Sequence, residues 1–226
     1  MIKYILPFFM LSHLLFAQNV EIHGTLMTVM HGDLSSHFNL QKLKDKQNIY
    51  GLGAVEGLKG EITVINSKPY ITYVQGSQVI MDSTFDHNAA LFFYSKVEDW
   101  VSDTVRSNID FSGLGKIISE HPGHTGDILP IVILADVQSL NWHVVDWPEG
   151  DTVHTHQKHK KSGLHGTIEN QKVTMVGFYS TQQQGILTHM NSNLHLHFIS
   201  NDKKLAGHVD DFIIKKAVLK LAYGKN

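Results

Sequence analysis

Apolar and polar residues alternate from Leu194 to Ile199, L-H-L-H-F-I, which is the two-residue period of a β-strand. Leu194, Leu196 and Phe198 take the face that must pack on a core, and His195 and His197 share the other. Ser200, Asn201, Asp202 and Lys203 are turn formers, and a second strand resumes through His208. A two- or four-residue loop centred on Asp202–Lys203 puts His208 directly across from His197. A loop one residue longer or shorter would turn His208 to the opposite face. Three imidazoles then converge from two paired strands, a donor set that suits one divalent metal ion with a coordination position left open. Three bare imidazoles on one face would otherwise leave several polar atoms to satisfy.

The rest of the chain is mostly written in the same period. Val20 to Val29 is β-like and Met30 to Leu34 a turn. Asn39 to Lys46 reads as a short amphipathic helix capped by Asn39. Gly51 to Asn66 carries four glycines, too many for a helix and without a phosphate-loop lysine and hydroxyl at the right offset. They fit bent strands that let another backbone approach closely. Glu61 to Ile65 is a strand, Asn66 to Pro69 a turn and Tyr70 to Val74 the hairpin partner. Ala89 to Val97 reads as a buried strand, and Phe111 to Glu120 as a helix ended by His121–Pro122–Gly123. Ile128 to Val137 is a further apolar run, and Trp142 to Val145 a strand. Asp146 to Gly163 is a polar, turn-rich loop, Val173 to Tyr179 a strand and Thr181 to Gly185 a loop. Val218 to Tyr223 closes the last sheet, and Gly224–Asn226 is a frayed tail. The expected fold is β-rich α+β, with mixed or antiparallel sheets packed together, few short helices and the metal site on a C-terminal β-hairpin.

Composition narrows the function. The 226 residues hold 19 basic and 21 acidic side chains, which excludes an electrostatic nucleic-acid footprint and points to a small-molecule partner. Residues 1–17, M-I-K-Y-I-L-P-F-F-M-L-S-H-L-L-F-A, pair one lysine with an apolar run and a small residue at Ala17. This is the pattern of a secretory signal peptide cleaved before Gln18. As a membrane anchor it is short and interrupted by Pro7 and His13, so no stable anchor is expected after cleavage. The chain has no cysteine, hence neither a disulfide framework nor a lipidated Cys. The expectation is a periplasmic or secreted protein with one domain over 18–226; monomer and homodimer are both left open.

Four stretches in this order and spacing, G-L-G-A-V-E-G-L-K-G-E-I-T-V, V-T-M-V-G-F-Y-S, S-N-L-H-L-H-F-I-S-N-D and A-G-H-V-D-D-F, resemble the bacterial α-acetolactate decarboxylases. The resemblance runs from about Val20 to Phe212 and is weak between Ser95 and Asp146. It implies a metal enzyme, usually zinc, that converts 2-acetolactate, a 2-hydroxy-3-keto acid, to acetoin and carbon dioxide. His195, His197 and His208 fall on the family's histidine ligands. Glu61 falls on the glutamate of the family's L-D-G-E stretch, here L-K-G-E. Two features of the pattern are missing. Where the family has an arginine in I-R-I-D-G, the matching stretch His143 to Trp147 reads H-V-V-D-W and puts Val144. Arg106 is the only arginine in the chain, and no acidic side chain follows Phe212.

The implied reaction moves a negative charge from a carboxylate onto a keto oxygen, where a chelating metal meets it as it grows. A carboxylic acid must then return a proton to carbon. Glu61 is the candidate, with Glu56 as substitute if the register differs. The cluster H-T-H-Q-K-H-K-K-S-G-L-H, His154 to His165, reads first as a solvated loop, since Lys158, Lys160 and Lys161 would repel a cation. His154 and His156 are the substrate-facing candidates there, supplying charge in place of the arginine. Asp210 could hold the second nitrogen of a ligand imidazole; His121, His124 and His189 read as structural or exposed. A non-catalytic metal- or ligand-binding module on the same scaffold is the alternative function. A cupin-like oxygenase is disfavoured, because no glutamate follows His197 at the usual offset.

Overall fold

The structure, a computed structural model, describes residues 19–121 and 128–222. The signal-peptide reading, His124 and the tail at 224–226 lie outside the described residues.

Two antiparallel sheets make the molecule. The first is ordered β1 (Val20–His23), β7 (Asn88–Lys96), β3 (Ile49–Val55), β4 (Glu61–Ile65), β5 (Lys68–Gln75) and β6 (Gln78–Asp82), with the two-residue β2 (Phe38–Asn39) also pairing with β7. The second is ordered β11 (Leu194–Ser200), β10 (Leu164–Tyr179), β9 (Leu129–Val144), β12 (Ala206–Leu221) and β8 (Val101–Ile109). Because the start of β12 also pairs with β11, strands β9 to β12 close on one another. Closure leaves no free edge around the hairpin and gives it neighbours on both sides.

Inside that closed group sits the largest apolar cluster, with Leu194, Leu196 and Phe198 of β11 packed among Ile131, Ile133, Met175 and Phe212. Truncating one such residue, Leu196→Ala for example, would cost about 2–5 kcal/mol. The opposite face of β11 looks toward the first sheet, where Leu52, Ala54, Leu91 and Phe93 pack with Val145 and Phe178. The glycines of the 51–60 stretch permit the close approaches expected of them. A Cβ on Gly53 would strike the Leu91 carbonyl oxygen, and one on Gly60 that of Thr72.

Several elements depart from the sequence expectation. Val20–Val29 is not one strand: Gly24, at φ +70°, turns the chain against Ala90. Thr25 then caps a short helix α1 (Leu26–Met30) by accepting the Thr28 N–H. Asn39 does cap a helical turn, but of 3-10 type, over Leu40–Leu43. The helix near Phe111 is α2 (Phe111–Ser119), capped by Asp110. The apolar run near Ile128–Val137 and the strand near Trp142–Val145 are joined in a single 16-residue strand, β9, from Leu129 to Val144. Within the expected loop 146–163 lies a third helix, α3 (His156–Lys161), capped by Thr155. Among the described residues no helix is long and apolar enough to cross a membrane.

Candidate metal centre and cavity

His197 pairs directly with His208, and Ile199 with Ala206. The turn is therefore centred between Asp202 and Lys203, with Ser200 donating its N–H to Leu205 O at 2.8 Å. The Ser200 hydroxyl accepts the N–H groups of Lys204 and Leu205, and Lys203 takes φ +58°. Closing the turn this way holds the register that puts both imidazoles on one face.

The three imidazoles are buried, and their nearest ring nitrogens lie within 4.8 Å of one another. His195 Nδ1 donates to the Leu187 carbonyl at 2.7 Å, which fixes the tautomer and leaves Nε2 as an acceptor. His197 Nδ1 meets Thr63 Oγ1 of β4 at 3.2 Å, the hydrogen bond that ties the two sheets at the site. Burial holds His195 neutral, its pKa down at about 4, and pushes His197 and His208 well below the usual histidine value. Three neutral, buried nitrogen donors with oriented rings fit one divalent cation, and a fourth position would face the cavity.

Glu61 stands beside them with its side chain 6 % exposed. Its Oε2 is 3.5 Å from His197 Nε2, and its Oε1 accepts the Val145 N–H at 3.2 Å. Burial raises the Glu61 pKa well above the usual carboxylate value; the Val145 N–H opposes this and the nearby Asp210 charge adds to it. Burial thus disfavours the charged form of both Glu61 and His197, which argues against reading their contact as an ion pair.

The site opens into a cavity of about 680 Å³, lined at its polar end by Glu61, His143, Asp210 and the triad. His143 of β9 pairs with His208. Its Nδ1 donates to Asp210 Oδ1 at 3.0 Å, and its Nε2 lies 4.0 Å from Glu61 Oε1. Lys160 Nζ of α3 reaches the same Asp210 Oδ1 at 3.0 Å. Burial works to raise the Asp210 pKa, but the hydrogen bonds and charges of His143 and Lys160 outweigh it and hold the group ionised.

Some candidates therefore move. Asp210 shares the cavity face with His208, but it braces His143 and Lys160 rather than a triad ring. Val144 is fully buried and away from the cavity; its neighbours His143 and Val145 line it. His156 lines the mouth, whereas His154 does not: it stacks on Trp147 at 4.7 Å and bonds His159 at 2.9 Å. Glu56 is exposed and spent on Ser36 N and Asn88 Nδ2, outside the cavity. His189, read as structural or exposed, lines the cavity with its ring 5.5 Å from that of His208.

The family model for alpha-acetolactate decarboxylase matches residues 22–226. The chain belongs to that family. It is 25 % identical over 216 residues to the alpha-acetolactate decarboxylase of Lactococcus lactis subsp. lactis (strain IL1403), covering 88 % of this chain and 81 % of that protein. The solved alpha-acetolactate decarboxylase of Bacillus subtilis strain 168 superposes with a TM-score of 0.76 at 18 % identity, over 92 % of this chain and 86 % of that one. A Staphylococcus aureus protein of unknown function, described as similar to alpha-acetolactate decarboxylase, gives 0.75 at 16 % identity, over 90 % and 85 %. These two structural likenesses speak for the fold. At 25 % identity this chain is a divergent member of the family, and His143 of β9 and Lys160 of α3 line its cavity.

Proposed function

We propose that the protein is an exported, zinc-dependent decarboxylase that converts 2-acetolactate, or a closely related 2-hydroxy-3-keto acid, to acetoin or its homologue and carbon dioxide. The observation that carries this reading is the buried Glu61 carboxyl, its pKa raised by burial, set 3.5 Å from the triad's His197. Family membership supplies the reaction class, and the N-terminal sequence pattern alone supports export.

His195, His197 and His208 would hold the metal. When bound, it would act as a Lewis acid toward the substrate's hydroxyl and keto oxygens and meet the charge that decarboxylation releases. The remaining work falls to the chain's own groups. Glu61, with Oε1 tied to the Val145 N–H, holds its proton at Oε2 and delivers it to carbon after the carboxylate has left. Lys160, the lysine at the cavity wall, takes the substrate carboxylate beforehand, and Asp210 holds that ammonium in place. His143 is pinned by the same aspartate and fills the space between it and Glu61. The apolar residues above the site, among them Leu58, Leu91 and Val145, exclude water from the carbon that must receive the proton.

The test is direct. Zinc-loaded protein mixed with racemic 2-acetolactate should release carbon dioxide and accumulate acetoin. A folded, metal-loaded protein that does neither would leave the non-catalytic binding module as the better reading.

A further inference from the structure

The polar end of the cavity accounts for a small acid's head; the other end is apolar and reaches the surface. Eight large apolar side chains are notably exposed among the described residues, and four of them, Met27, Met30, Ile186 and Met190, lie on two segments at the cavity mouth. Met27, Met30 and Met190 also line the cavity, although they are 47 %, 36 % and 67 % exposed. Clusters of that kind mark binding surfaces more often than scattered apolar residues do.

The two segments are built to stay together. Leu26 N donates to Ile186 O at 3.0 Å and Met27 N to Gly185 O at 2.7 Å, which docks α1 on the 185–190 stretch. Gly185 lies between the two methionine ends: a Cβ there would come within 3.0 Å of Met190 Sδ and 3.3 Å of Met27 Cε. At φ +78° the position suits glycine in any case. The result is an apolar shelf that lines the same cavity as Leu58, Leu91 and Lys160. Methionine is unbranched and polarizable, so such a shelf adapts to flexible chains. Acetolactate presents only methyl groups on either side of its reacting carbons and would leave the shelf bare.

We propose that the preferred substrates are 2-hydroxy-3-keto acids in which one methyl of acetolactate is replaced by an unbranched alkyl chain of several carbons, laid on the shelf of Met27, Met30 and Met190. That the shelf lines the same cavity as the acid-binding end favours this occupant over a second copy of the chain. The inference rests on the decarboxylase reading for the head group and is independent of it for the tail.

The experiment compares 2-hydroxy-2-methyl-3-keto acids whose ketone-side chain grows from methyl to pentyl, on the zinc-loaded protein. In parallel, calorimetry follows binding of unreactive 2-hydroxy-2-methylalkanoates of matching length. Burial on a half-open shelf should raise kcat/KM and tighten binding about two- to fourfold per methylene, and Met27→Gln with Met190→Gln should flatten both series. A flat or falling series in the unaltered protein would overturn the proposal while leaving acetolactate decarboxylation intact. If no acid is turned over, the decarboxylase reading fails, and the alkanoate series still decides the shelf. Sedimentation showing a dimer that Met190→Glu splits would overturn it as well, since a second copy would then cover the methionines.

Discussion

Two groups of histidines border the same cavity, and they behave differently although both contain His-x-His. His195, His197 and His208 stand on strands that are hydrogen-bonded on both sides, and the register alone brings their rings to centroid separations of 5.0–5.6 Å. His154, His156 and His159 belong to the start of α3 and the stretch before it. There the two-residue spacing no longer means a shared face: His154 turns to Trp147 and His159, while His156 turns to His189. The same segment is stapled by Lys158, which forms an ion pair with Asp151 at 2.6 Å and lies over the Trp147 ring. Spacing becomes a site only where a rigid ladder enforces the period that the spacing presumes.

The sharpest way to break this comparison is to remove one ring from each group. His197→Ala deletes a donor from the strand-held triad and should reduce zinc retained through dialysis from about one per chain to near none, with decarboxylation lost. His154→Ala should leave zinc content unchanged. Metal analysis of the two dialysed variants checks both, and equal loss in the two would mean that the metal is not held by the strands.

Next in size is the proton. Glu61→Gln keeps the shape and can still accept the Val145 N–H, but it has no acidic proton to give. Turnover should fall about 10²- to 10⁴-fold with zinc content intact. Rates within threefold of the unaltered protein would remove Glu61 from the chemistry. The smaller effect belongs to α3: Lys160→Met should raise KM for the acid about 10- to 150-fold, the range for a hydrogen bond to a charged group. Lys158→Met, whose ammonium is occupied by Asp151, should leave KM within a factor of two or so. Steady-state kinetics on the pair separates a substrate contact from a general loss of positive charge.

The sequence made the hairpin legible because everything that sets it is local. The alternation, the turn formers and the loop centre fix which face His195, His197 and His208 share. What stayed hidden depends on strands far apart in the chain. His143 enters the site only because β9 pairs with β12 opposite His208, and nothing near Trp142–Val145 announces that neighbour. The join of β9 across Gln138–Asn141 was masked by polar residues on its outer face. The exposed edge strand β8, with only Val105 and Ile109 buried, gave too thin an apolar signal to read. Lys160 is visible in the sequence as a charge that would repel a metal and Asp210 as a candidate on the His208 face; that the two pair depends on α3 meeting β12, which no local pattern announces. The Thr25–Thr28 pair was a readable cap for α1, and the β-like residues around it overrode that signal.

The smallest effect sharpens the comparison through stability instead of chemistry. Burial, helped by the charges of His154, His156 and Lys158, pushes the His159 pKa down to about 4 from 6.5. A histidine with a lowered native pKa binds its proton first in the unfolded chain, so its contribution to stability is complete above about pH 6.5 and is lost as pH falls toward 4. His159→Gln should therefore flatten the acid side of the stability curve between those values. It should also cost about 0.5–1.5 kcal/mol at pH 7 for the lost His154 hydrogen bond. Zinc content should not change, because no ring of this group touches the triad's metal face. Urea unfolding at pH 7 and pH 5, with and without the substitution, measures both. If the variant's pH slope stays as steep as the parent's, the acid sensitivity resides in the strand-held triad, and the α3 group is no more than packing around Trp147.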